Sequence, residues 1–421
     1  MGIMKRLLSL LICLLMLGSS AMGDTVINGG ENRGINPPKV EPNTWEDVRV
    51  SPTTGLVLSE VAKRAPETGF AGLALTGRYM PMLVQIDNAE GGIGYDSNGK
   101  YSGKRAPWGA QYTDVIYEAP LYKQGDTRLT YVFSDLIPNS VGPLRSARLF
   151  HAWLREEWDC GFIFYGQQEY TETNVPEAFK STGADKKGYV YDENGKVIEG
   201  AGLLFLGTVG ISRPWKQYFG SIRSKEWPGM NIQLTKPHDK TVDAAAVSSL
   251  ILPDFQAANH TWQFTDSEPD WDDDAEEIFV NWAAGKLQCY NSYIWWDEDE
   301  EVYTREMMDY TSEKLRDAHE YKTLQWKDKM NEESIPFTNV IVQFTKMTWV
   351  RTDAPKPEVL GMGNADIFQR GKHMAGVWRR DTLSDRTVFY DEEGEEIKMQ
   401  RGRTLIIVMD YETEHRSVSY N

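Results

Sequence analysis

The sequence predicts an α+β protein: an N-terminal α/β layered domain on a mixed sheet over residues 51–250, then a mainly antiparallel β-rich C-terminal domain over 251–421. Three observations predict it. The chain has 421 residues, 41% hydrophobic and 25% charged, a globular composition with length for two or three domains. Its first half holds short β-rich runs broken by one stretch of helical spacing. Its second half holds runs joined by tight-turn signals, the mark of antiparallel strands.

In order along the chain, Lys5 and Arg6 precede the apolar run Leu7–Leu17 and the small residues of 18–23, which is the pattern of a secretory signal peptide over 1–23. The run is shorter than the roughly 20 residues needed to cross a bilayer, and no later segment comes closer. The mature chain is therefore expected outside the cytoplasm, envelope-associated or secreted, without a transmembrane helix. Cleavage after Ala21-Met22-Gly23 removes Lys5 and Arg6, so the formal charge of −17 becomes −19. Cys13 leaves too, and Ile12 before it argues against lipid attachment. Cys160 and Cys289 remain, either paired or as two thiols. Residues 24–50, rich in Gly, Asn and Pro, read as a flexible linker.

Met82–Asp87, Asp114–Glu118, Arg128–Phe133 and Gly161–Gly166 read as strands. Between the last two, apolar residues at 149, 150, 153, 154 and 158 predict a helix within 145–158. Later, Phe337–Phe344, Ala375–Arg379 and Thr404–Met409 read as strands, and Thr387–Met399 as a hairpin. The Tyr-Asp-x-x-Gly segments at 95, 191 and 390 read as turns.

The acidic excess repels phosphate backbones and anionic lipid, so nucleic-acid binding is not expected. Against it stands Asn139-Ser-Val-Gly-Pro-Leu-Arg-Ser-Ala-Arg148. Asn139 or Ser140 would cap the helix, and Arg145 and Arg148, three apart on one face, would join Arg128 to hold a carboxylate or phosphate. The bland alternative is that these arginines pair with Asp87, Asp114 or Glu118 and lock the sheet to the helix. Asp114 and Glu118 are weak candidates for a catalytic acid and base. Ser146 with His151 lacks a nucleophile elbow.

The six histidines show no zinc-binding spacing, and no motif implies a cofactor or metal. His238 reads as a loop residue. Asp270–Glu277 fails the EF-hand pattern at Ala275 and Asn281, so it and Asp297–Glu301 read as solvated acidic loops. Fourteen Trp and 20 Tyr suit stacking on sugars, although most should be core residues.

Several of these segments together resemble the YerB-like family of bacterial cell-envelope proteins, catalogued as a domain of unknown function. The resemblance rests on Ser51–Leu56, Met82–Asn88, Asp114–Pro120, Thr127-Arg128 and Val141–Arg148. A C-terminal companion region is similar at Tyr303–Arg305, Thr338–Gln343, Gly361–Gly363 and Gly376–Arg379. The family supplies no established activity. It implies that Asp87, Asn88, Asp114, Glu118, Thr127, Arg128, Arg145, Ser146 and Arg148 form a ligand-binding set. Two departures stand out: many members are lipoproteins, and Asp239 occupies a position where Asn is expected. The expected function is binding of an anionic ligand such as a wall-polymer or glycan fragment, or of an envelope protein. The rivals are a hydrolase acting on envelope polymer and a non-catalytic scaffold.

Overall fold

The computed structural model describes residues 24–41, 45–66, 69–88, 93–95, 101–103, 106–188, 240–251, 261–283, 290–309 and 322–421, with short pieces at 99, 194–196, 204–207, 219–221, 255 and 257–258. The signal-peptide segment, Cys289, His238 and Asp239 lie outside the described residues, as does most of the turn that begins at Tyr191.

The chain enters through β1 (Thr25–Val26), then β2 (Met82–Ile86) and the antiparallel pair β3 (Ile93–Tyr95) and β4 (Tyr101–Gly103). There follow β5 (Val115–Pro120), β6 (Thr127–Phe133), α1 (Leu149–Trp158), β7 (Gly161–Tyr165), α2 (Val175–Thr182) and β8 (Leu204–Gly207). The second half supplies β9 (Asp273–Asp274), β10 (Glu277–Asn281), β11 (Ser292–Asp297), β12 (Val302–Asp309) and β13 (Lys322–Gln325). It continues with β14 (Asn339–Thr345), β15 (Gly361–Gln369), β16 (Lys372–Arg380), β17 (Val388–Tyr390), β18 (Thr404–Asp410) and β19 (Ser417–Tyr420).

Two sheets result. Eleven described strands form a mixed sheet in the order β8-β7-β2-β6-β5-β18-β14-β15-β16-β9, with β17 added to β16. Eight form the second, β1-β19-β10-β11-β12-β3-β4 with β13 on β12, and it is antiparallel apart from the single β12–β3 contact. Alternate residues of β2 face different cores: Met82, Val84 and Ile86 lie between the sheets, Leu83 under the helices. β18 does the same, with Leu405, Ile407 and Met409 on one side and Ile406 and Val408 on the other. A strand covered on both faces reads as an unbroken apolar run, which is why these two segments show no alternation. The layers are therefore sheet, sheet, helices, with α1 burying Leu149, Phe150, Leu154 and Trp158 against the mixed sheet.

Two expectations need correction, and one holds. The boundary at 250/251 does not separate sheets, because β18 and β14 of the second half extend the sheet begun by β2, β5 and β6. β18 is parallel to both β5 and β14, while the other pairs among the β10–β17 and β19 strands are antiparallel, so the C-terminal half is mainly antiparallel as expected. Residues 24–41 are no free linker: β1 pairs with β19, and Arg33 donates to the carbonyls of Ala365 and Gly376 at 2.8 Å and to Asp366 at 2.6 Å. Gly- and Pro-rich composition marks a chain without its own periodicity, and here that chain borrows partners from distant strands.

Candidate functional site

Pairing directions locate the arginines. β8, β7, β2, β5, β18 and β14 all run one way, while β6 runs back between β2 and β5. The carboxyl ends of the six parallel strands therefore share an edge with the first residues of β6, Thr127 and Arg128. Open α/β sheets bind ligands at such an edge. Asp87 and Asn88 follow β2 directly at this edge.

Arg145 is not on the helix. The Arg145 N–H donates to the Gln85 carbonyl at 3.0 Å, Tyr165 N–H donates to Arg145, and Ala147 N–H donates to Gly166, both at 3.0 Å. Residues 144–147 are thus an extended insert between the ends of β2 and β7, and their backbone groups are unavailable to a helical turn. α1 begins at Leu149, where the apolar period begins, and Arg148 is its N-cap in an extended conformation. The cap comes from within: the Arg148 N–H donates to Nδ1 of His151 at 2.8 Å. Asn139 and Ser140 do not cap it.

The insert gathers three guanidinium groups, with Asp87 beside Arg145 and near enough to act on Arg128. Arg145 Nε lies 3.3 Å from Asp87 Oδ1, with the arginine side chain 22% exposed and the carboxylate 1%. Arg128 is buried, donates one Nη1 bond to the Ser146 carbonyl at 3.2 Å, and leaves Nε without a partner. Arg148 donates Nη1 to the Ala147 carbonyl at 3.1 Å, and its buried Nε is also unpartnered. Among the described residues neither has a carboxylate within ion-pair distance. Burial pushes Arg128 down to about 9; Asp87 opposes the shift, and Arg148 and Arg145 deepen it. Burial also lowers Arg148. His151 is held well below the ordinary imidazole range by burial, then by Arg128 and Arg148, so its ring is neutral and free to accept the Arg148 N–H.

Glu118, Asn88 and Thr127 form a second hydrogen-bond network. Asn88 Nδ2 donates to Thr127 Oγ1 at 2.6 Å and to Glu118 Oε1 at 3.3 Å, and Thr127 Oγ1 donates to the same oxygen at 2.6 Å. Arg305 of β12 completes it, donating to Glu118 Oε2 at 2.6 Å. All four side chains are buried, so this network ties the two sheets together. Ser146 Oγ donates to the Tyr165 carbonyl at 3.1 Å and makes no bond to His151.

Asp114 stands at the opposite edge. It stands four positions from Glu118 along extended chain, about 13 Å between Cα atoms, more than a glycosidase acid and base are apart. Its partner is Asp135. Ser134 Oγ donates to Asp114 at 2.9 Å and to Asp135 at 3.2 Å, and Asp135 also accepts from Ser51 at 2.6 Å and Thr54 at 2.7 Å. Burial and mutual repulsion raise Asp114 well above the carboxylate range, and burial raises Asp135. The adjoining cavity, lined also by Arg64 and Arg403, is about 30 Å³, room for about one water.

Asp135 and Arg305 went unnoticed as site residues in the sequence. Arg305 lay within a family motif, whereas Asp135 carries no spacing signal. Among the described residues no group of three or more His, Cys, Asp or Glu is placed to hold a metal ion. Asp273-Asp274 of the acidic segment is edge strand β9, and Asp297–Glu301 is the exposed turn between β11 and β12. Cys160 is a buried free thiol whose pKa burial pushes up. No helix among the described residues is long and apolar enough to cross a membrane.

Comparison with curated proteins gives no match. Among solved structures the chain is similar to the YerB protein from Bacillus subtilis, at 15% identity and a TM-score of 0.57, covering 88% of this chain and 99% of that one. At that identity the likeness speaks for the fold alone. Protein of unknown function (DUF3048), N-terminal domain, matches residues 98–199, and its C-terminal domain matches residues 280–406, together more than half of the sequence. The chain therefore belongs to the YerB-like family of DUF3048 proteins, with both family domains present.

Proposed function

We propose that this chain is an exported, envelope-associated protein that binds an anionic group, such as a phosphate or carboxylate of a wall-polymer or glycan fragment, at the carboxyl edge of its mixed sheet. The observation that carries the reading is Arg128, a buried guanidinium with an unpartnered Nε and, among the described residues, no carboxylate within ion-pair distance. A buried charge is costly unless paired, and of the three arginines only Arg145 has a carboxylate within ion-pair distance among the described residues, which leaves positive charge for a ligand to meet. Arg145, partly exposed, would make first contact, with the buried Arg128 behind it and Arg148 beside them. The amino-terminal pattern of residues 1–23 supports export.

Thermal unfolding of the protein against inorganic phosphate, glycerol phosphate, acetate and muropeptides tests the reading. A ligand at 100 times its Kd stabilises the folded state by about 2.7 kcal/mol, a shift of several degrees for a domain of ordinary size. Wild type should shift and Arg145→Ala should not. An equal shift in a folded Arg145→Ala variant would sink the assignment, and product release from the muropeptides would favour the hydrolase.

A further inference from the structure

At the amino edge of the parallel strands lies a cleft of about 510 Å³, inside the roughly 300–1,000 Å³ typical of small-ligand sites. It is separated from the arginines by the length of the strands, roughly 20 Å for seven residues. Its floor is the parallel contact of Phe264–Thr265 with Met399–Gln400. One wall is the turn at 391–396 and the other is the segment 266–271, which carries the half-buried indole of Trp271. The walls are fixed. Gln400 Nε2 donates to the Ser267 carbonyl at 2.8 Å, and its Oε1 accepts from Arg370 at 3.2 Å. Glu396 is gripped by both Arg386 nitrogens at 2.8 and 2.9 Å, and Gln263 reaches it across the cleft at 3.4 Å.

We propose that this cleft is a second binding site, for a neutral saccharide of one or two rings. The lining chooses among ligand classes. Its four acidic side chains, Glu268, Asp391, Glu395 and Glu396, outnumber its one cation, Lys398, and so disfavour an anion. An apolar ligand would strip water from those carboxylates and return no hydrogen bond. A polycation would find two of the four already engaged, Glu396 by Arg386 and Glu268 by Arg370 at 3.6 Å. A pyranose suits this mixture: its hydroxyls donate to carboxylates, accept from amides such as that of Gln263 and from the Lys398 ammonium, and its C–H face covers an indole.

Isothermal titration of the purified full-length protein with N-acetylglucosamine oligomers, cellobiose, maltose, oligolysine and inorganic phosphate decides it. The proposal expects at least one of the three saccharides to bind with a Kd in about the millimolar range or tighter. Trp271→Ala and the exposed Gln263→Ala should each weaken that saccharide about tenfold or more, while Arg145→Ala leaves it unchanged. The Gln263 variant keeps the test valid if the Trp271 variant does not fold. No saccharide binding to wild type, saccharide binding indifferent to both cleft substitutions, or binding of oligolysine in their place would each overturn the proposal. Phosphate reports on the arginine site separately, so failure of one site is distinguishable from failure of the other.

Discussion

Arg128 and Asp114 are both buried and charged in water, yet they press stability in measurably different ways. Among the described residues Arg128 has no carboxylate within ion-pair distance, and its Nε is unpartnered, so replacing it with methionine removes a buried charge while keeping most of the apolar stem. Arg128→Met should raise the unfolding free energy of the ligand-free protein by about 1–3 kcal/mol and abolish protection by anions, read from urea midpoints with and without phosphate. A less stable variant would mark the cluster as a structural clamp. Asp114 acts through protons. Its native pKa is raised above the unfolded value, so the folded chain holds a proton the unfolded chain releases, and stability falls as pH rises from about 4. Asp114→Asn should flatten that fall in urea midpoints measured from pH 4 to 8, and an unchanged slope would remove the carboxylate pair from the account.

Among the elements, β16 and β17 meet where Gly376 stands: an added Cβ would collide with the carbonyl of Tyr390, a backbone atom that cannot turn aside. Gly376→Ala should cost about 2 kcal/mol or more in denaturant unfolding through this collision, whereas the same change at Gly361, which has open space but a φ of +100°, should cost only the strain of its backbone conformation. Elements are also the scale at which sequence reading succeeded and failed most clearly. β2, β5, β6, β7 and β18 were legible because each is a compact apolar run bounded by polar residues. The start of α1 was not, since Arg145 to Ala147 take their partners from β2 and β7, and no local pattern announces a bond to a strand some 60 residues earlier. The arginine cluster was visible as residue types at one place in the chain. Glu118's partner was not, because Arg305 sits 187 residues away.

For the whole molecule, the shared mixed sheet makes two domains one cooperative body. Circular dichroism and tryptophan fluorescence should report a single coincident unfolding transition; two separated transitions would restore the boundary at 250/251 as a folding boundary. The same topology bears on assembly in time. β18 fits between β5 and β14, and its Thr404 sits beside Val115, nearly three hundred residues upstream. Until that segment has been synthesised, β5 ends in an open row of unpaired N–H and C=O groups flanked by apolar side chains, the surface on which strands of other molecules add themselves. A ribosome-bound or prematurely terminated chain is therefore sticky in a way the finished protein is not, and its safe handling depends on a chaperone or on rapid completion.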